Sequence, residues 1–135
     1  ERIDTTGAIS EIICFDVLNR ISLNNESPTM TLPAQTWHDK GMDSSENFDF
    51  WQINNNHRRK IQVKTKSSQR EELTTRQYGD DIAVVFLEDY WPGPVDQIAA
   101  YLSTAPLNDE LVMNVARSMQ QDIDTFFKPE VAVAA

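Results

Sequence analysis

Gln62 and Lys64 lie two residues apart in "KIQVKTKS" (Lys60–Ser67), and strand side chains alternate with a period of two, so an amide oxygen and an ammonium share one face. Ile61, Val63 and Thr65 fall on one side, and Lys60, Gln62, Lys64 and Lys66 on the other. This is the pattern of an ordinary half-buried strand with a solvated face. It is equally that of a strand holding a lysine and a metal ligand over a phosphate. Two carboxylates earlier in the chain bear on the choice. Glu11 projects within an apolar helical stripe, and a carboxylate facing packed residues needs a partner. Asp49 stands at the start of the aromatic run "FDFWQI". Around the strand, Arg58, Arg59, Lys60, Lys64, Lys66 and Arg70 make up half of the 12 basic residues, with no acid between them, in a chain of net charge −9. A positive strip on an acidic body suits a small, focused anion site. Its bland counterpart is a lysine-edged strand that resists aggregation.

The elements that must position these groups follow from periodicity. "TTGAISEIICFDVLNRI" (Thr5–Ile21) reads as a helix capped by Thr5 or Thr6, with Ile9, Ile13, Val17 and Ile21 on one stripe and Ala8, Phe15 and Leu18 on another. Such a helix is apolar around most of its circumference and belongs in a core. "TMTLP" is a short strand, "FDFWQI" a second, and "NNNHRR" turns the chain into the quoted strand as a hairpin. "SSQREELTTRQ" reads as a helix capped by Ser67 or Ser68. "GDDIAVVFLEDYW" reads as a turn and a continuous apolar strand, hence an interior one. "WPGP" breaks the chain before "VDQIAAYLST" and a longer helix capped by Asn108; the tail "KPEVAVAA" is expected to fray. The order α-β-β-β-α-β followed by two helices predicts an α/β sheet with helices packed on it.

"GAISE" on the opening helix, "FDF" on one strand and "IQVKTKS" on the next, in that order, resemble the PD-(D/E)xK nuclease superfamily, the fold of restriction endonucleases and junction resolvases. "YGDDIAVVFL" looks like that fold's closing core strand. The likeness covers about residues 5–90 and leaves the helices at about 94–127 as an extension of a single domain spanning 1–135. Gln62 stands where the family most often has Asp or Glu, and Phe48 where the pattern has Pro.

The resemblance implies a restriction-endonuclease-like core and a metal-dependent endonuclease that hydrolyses phosphodiester bonds, in DNA. Its catalytic set would be Glu11, Asp49, Gln62 and Lys64. Asp49, Gln62 and Glu11 would hold Mg²⁺ (or Mn²⁺), a hard cation that prefers oxygen ligands. Lys64 would orient the attacking water and stabilise charge on the phosphate. Arg58, Arg59, Lys60, Lys66 and Arg70 would bind the nucleic acid. Enzymes of this type cut two strands, so a homodimer is expected. One rival reading keeps the fold as a non-catalytic binding module whose metal site has decayed through the neutral Gln62. A second is an acidic inhibitor or immunity protein, which gives no reason for the basic strip.

Other groups carry less. His38 and His57 lie in loops without metal-ligand spacing, and Ser44, Ser45, Ser67 and Ser68 have no histidine at a suggestive position. Cys14 packs as a small hydrophobe. Trp37, Trp51 and Trp91 have faces on which bases stack, though aromatic residues beside strands usually fill cores. Asp80 and Asp81 suit a turn as well as a metal. A length of 135 residues suffices for one unstapled core. The single cysteine excludes an internal disulfide and suits a reducing compartment. The longest apolar run, "IAVVFL", is far short of the roughly 20 residues that span a bilayer. No secretory pattern opens the sequence, so a cytoplasmic protein without membrane contact is expected.

Overall fold

Thr6–Leu23 forms the first helix, α1, in a computed structural model that describes residues 6–34, 48–54, 57–66 and 81–127. Ile13, Cys14, Val17, Leu18 and Ile21 are buried along it, as their spacing requires. Its end is a Schellman arrangement. Asn25 takes φ 61, a left-handed conformation that Asn tolerates. The Glu26 N–H then bonds the Ile21 carbonyl at 2.9 Å and the Asn25 N–H bonds that of Ser22 at 3.0 Å.

Four strands follow: β1 (Met30–Pro33), β2 (Phe50–Asn54), β3 (His57–Lys64) and β4 (Ile82–Phe86). They form one mixed sheet in the order β1-β2-β3-β4. The first three are antiparallel neighbours, with Phe50 opposite Ile61, and β4 runs parallel to β3, with Lys64 opposite Phe86. The hairpin is tighter than "NNNHRR" suggests, since β3 already begins at His57. Among the described residues β4 ends the sheet, although its unbroken apolar run reads as an interior strand. Its burial comes from the two faces: Ala83 and Val85 enter the main core, while Ile82 joins Ala34, Phe48 and Trp51 in a smaller cluster.

Three more helices complete the described chain: α2 (Leu87–Tyr90), α3 (Val95–Thr104) and α4 (Glu110–Phe126). The cap of α4 falls one residue later than expected, on Asp109, whose carboxylate accepts the Val112 N–H at 3.1 Å. Val112, Met113, Ala116, Met119 and Ile123 recur at three- and four-residue intervals and enter the same apolar cluster as α1, Phe50, Ile61, Val63, Ile98 and Leu102. Full burial of each such side chain contributes roughly 1.5–3 kcal/mol. The two C-terminal helices thus share the core of α1 and the sheet.

Two polar connections cross this core. Arg20, buried in α1, bonds Asp16 Oδ1 at 2.7 Å and reaches the Pro106 carbonyl at 2.8 Å and that of Leu102 at 3.2 Å. A cation there satisfies the C-terminal carbonyls of α3 and complements its dipole. Below the sheet, Gln52 and Gln120 exchange amide hydrogen bonds of 2.8 and 3.0 Å. Gln52 also donates to Thr31 Oγ1 at 3.1 Å, and Gln120 to Asp124 at 3.0 Å. The expected helix over "SSQREELTTRQ" and the tail "KPEVAVAA" lie outside the described residues. No helix among those described is long and apolar enough to cross a membrane.

Candidate active site

The β2–β3 ladder stops before β3 does. Its last backbone bond on that side is Asp49 N–H to the Ile61 carbonyl, 2.8 Å. One residue pair on, the Val63 N–H is met by a side chain, donating to Asp49 Oδ2 at 2.8 Å. Asp49 therefore stands at the mouth of the hairpin, where β3 leaves β2 and runs on toward Lys64 paired with β4. Among the described residues no β2 backbone pairs with β3 beyond Ile61.

Glu11 arrives there from α1. Its carboxyl hydrogen-bonds Asp49, although the side chain is exposed and does not face packed residues as its stripe suggests. Burial, then the charge of Asp49, then the hydrogen bond between them raise Glu11 from 4.5 to about 7. Asp49 is raised as well, chiefly by burial, against the opposing pull of the Val63 N–H, of Glu11 and of the Lys64 charge. Below about pH 7 the two carboxyl groups share a proton, since like charges this close resist ionising together.

Glu11, Gln62, Val63 and Lys64 line an open pocket of about 480 Å³ with Thr6, Gly7, Thr65 and Lys66. Asp49 lies behind this wall, joined to it through Glu11 and Val63. Two residues not singled out from sequence fix the geometry. Ser10, 1% exposed, hydrogen-bonds Thr65 across 2.7 Å, tying α1 to the end of β3, and the Glu88 N–H bonds the Thr65 carbonyl at 3.0 Å. A small hydroxyl beside Glu11 on the packed side of the helix was the available signal for Ser10.

Of the four residues singled out from sequence, Glu11, Gln62 and Lys64 line one pocket, and Asp49 interacts with Glu11 and feels the Lys64 charge. The basic strip does not stay together. Arg59 shares the parity of Ile61 and Val63, turns into the fold at 3% exposure, and pairs with Asp124 at 2.7 Å beneath the Phe127 ring. Arg58 lies over Trp51, and Lys60 lies over Phe48 and 3.5 Å from Asp81. Lys66 is exposed beside the pocket. Arg70, His38, Trp37, Asp80 and Ser44, Ser45, Ser67 and Ser68 lie outside the described residues. His57 is exposed at the start of β3, and Cys14 is fully buried, which pushes its thiol pKa upward.

As a cation site the pocket offers the Glu11 carboxyl and the Gln62 amide oxygen, with the Asp49 carboxylate behind Glu11. Among the described residues no three His, Cys, Asp or Glu side chains gather as a metal group; here the third donor is an amide. Two partly desolvated carboxylates sharing one proton suit a hard divalent ion, which relieves their repulsion more fully than the proton does. A larger hollow of about 750 Å³ lies elsewhere, between the chain after α1 and α4. Its charges are already matched, Arg117 to Glu26 at 2.8 Å and Arg59 to Asp124 at 2.7 Å, so it is a seam in the packing and offers no reacting group. Comparison with protein-family models, curated proteins and solved structures gives no match.

Proposed function

We propose that the chain is a metal-dependent nuclease domain of the restriction-endonuclease-like type, hydrolysing phosphodiester bonds in DNA. The observation that carries the reading is the meeting of Glu11 from α1 with Asp49 from the mouth of the hairpin, beside Gln62 and within reach of the charge of Lys64. The antiparallel β1-β2-β3 followed by parallel β4, with α1 before them, supports the same fold.

In this reading Glu11, Asp49 and Gln62 would hold Mg²⁺ or Mn²⁺, which would supply charge neutralisation on the phosphate and a more acidic water. The chain's own groups do the rest. Lys64 hydrogen-bonds a non-bridging phosphate oxygen and the attacking water, holding both where negative charge develops. The Val63 N–H fixes Asp49, and Glu11 is held against it at the hairpin mouth. Lys66, at the pocket rim, adds attraction for the neighbouring phosphate.

The test is incubation of the purified chain with supercoiled plasmid and single-stranded DNA, in Mg²⁺, Mn²⁺ or chelator. The parent cuts only with a divalent ion. Lys64→Ala binds substrate and keeps its melting temperature but does not cut; equal cutting by parent and variant refutes the reading. A second reading, a binding module that retains the fold, is favoured by the neutral Gln62. It predicts nucleic-acid binding without cleavage in any metal.

A further inference from the structure

The candidate active site is not a closed pocket. Thr6, Thr65 and Lys66 also line a second hollow of about 290 Å³, whose far wall is the chain from Leu87 to Asp96. The two cavities meet over Thr65, which Ser10 and the Glu88 N–H hold in place. Both open where the parallel strands β3 and β4 end, and the carboxyl ends of such strands form the ligand crevice of open α/β sheets.

The wall of this second hollow is stiff and aromatic. Trp91, Gly93 and Pro94 line it and also line a neighbouring groove, so the indole and the turn after it separate the two. Tyr101, on the groove side, packs edge-on against Trp91 at 5.7 Å and 82°. The turn after it is Pro92-Gly93-Pro94, and Gly93 takes φ 129, which other residues adopt only with strain. An aromatic plane set by a Pro-Gly-Pro turn loses little freedom when a ligand stacks on it.

Charge selects what can enter. Among the described residues Glu88 and Asp96 line this hollow with Lys66 of opposite sign, an acidic balance that disfavours a phosphate. Carboxylates accept hydrogen bonds from base amino groups, as in readout of cytosine N4. The volume lies at the lower end for small-molecule sites, roughly 300 Å³ and upward, and suits one planar heterocycle.

We propose that the hollow beneath Trp91 receives an unpaired nucleobase adjacent to the phosphate held at Lys64, and that this base is an amino-bearing one. A base paired within a duplex cannot enter it, so the preferred substrate is single-stranded or locally opened nucleic acid. The inference rests on the nuclease reading for the neighbouring phosphate, while Trp91, Glu88 and Asp96 belong to the hollow alone.

The test measures binding of fluorescein-labelled oligonucleotides to the full chain by anisotropy, without divalent ion and again with Ca²⁺. Parent, Trp91→Leu and Trp91→Phe are compared on oligo(dC), oligo(dT) and a duplex of equal length. Trp91→Leu weakens oligo(dC) binding about tenfold or more, from the usual range for one base–aromatic stack, and leaves duplex binding unchanged; Trp91→Phe restores most of the loss. The parent binds oligo(dC) more tightly than oligo(dT), and Glu88→Gln with Asp96→Asn abolishes that preference. This double variant also decides the matter should Trp91→Leu fail to fold. Equal binding by parent and Trp91→Leu, an equal loss on single strand and duplex, or no binding of single strands by the parent overturns the subsite. A parent that binds single strands through Trp91 yet cuts nothing in Mg²⁺ or Mn²⁺ overturns the nuclease reading and leaves the subsite standing.

Discussion

Replacing Glu11 by Gln removes one of two carboxyl groups crowded at the hairpin mouth, and the change in stability has a sign that follows from the pair. In the native state Glu11 holds its proton up to about pH 7, against 4.5 ordinarily. Between those values the native chain binds more protons than the unfolded one, so the free energy of unfolding falls as pH rises through the window. Felt in full, the shift would correspond to roughly 3.4 kcal/mol at about 1.36 kcal/mol per pH unit. Glu11 is an exposed residue, so water screens the interaction, and about 1–2 kcal/mol is the share to expect. Gln at this position still donates a hydrogen bond to Asp49 and has no proton to lose. Glu11→Gln should therefore match the parent at pH 5 and exceed its stability by about 1–2 kcal/mol at pH 8.5, a rise in melting temperature of about 4–8 °C for a domain of this size. Thermal unfolding followed by circular dichroism at pH 5, 7 and 8.5 measures it. The same variant should lose cleavage, because a cation ligand is gone. A variant no more stable than the parent at pH 8.5, or a gain of equal size at pH 5, would refute the account of the pair.

Further outcomes follow from the same structure. At pH 8, Mg²⁺ or Mn²⁺ at a hundredfold excess over its dissociation constant should stabilise the parent by about 2.7 kcal/mol, and chelator should reverse it. Asp49→Asn should show no such response in a thermal-shift titration. Arg20→Met removes the buried guanidinium's bonds to Asp16 and to the Leu102 and Pro106 carbonyls and should cost about 2–3 kcal/mol in urea unfolding, as loss of bonds to a charged group does. Gln120→Leu leaves the fully buried Gln52 amide half satisfied and should cost about 1–3 kcal/mol. Combining it with Gln52→Leu should recover part of that loss, a non-additivity read from a double-mutant cycle.

How much of this was legible in the sequence differs from residue to residue. The hairpin and α1 are written in local periodicity, and their burial follows it. Glu11 reads from sequence as facing packed residues, but its side chain is exposed; its interaction with Asp49 comes from the place of α1 beside the hairpin mouth. The fate of Arg59 was half legible: alternation sets it on the side of Ile61 and Val63, but its partner Asp124 lies 65 residues away, and no local pattern reports that. Asn108 and Asp109 are adjacent residues with similar capping chemistry, and the geometry of the turn from Pro106 decided between them. The position of β4 at the end of the described sheet was hidden because an apolar strand buried by its faces reads like one buried by neighbouring strands. Ser10 and Thr65 carry no motif; their contact exists only once helix and sheet have packed.

The reach of Arg20 to Leu102 and Pro106 has a consequence for how the protein is made. During synthesis the first helix leaves the ribosome some eighty residues before the carbonyls that its guanidinium must meet. At about 5–20 residues per second, α1 waits several seconds with its apolar surface uncovered. Nascent chains halted near residue 90 should accordingly remain protease-sensitive and recruit holdase chaperones, and native compaction should come late, when α4 has emerged.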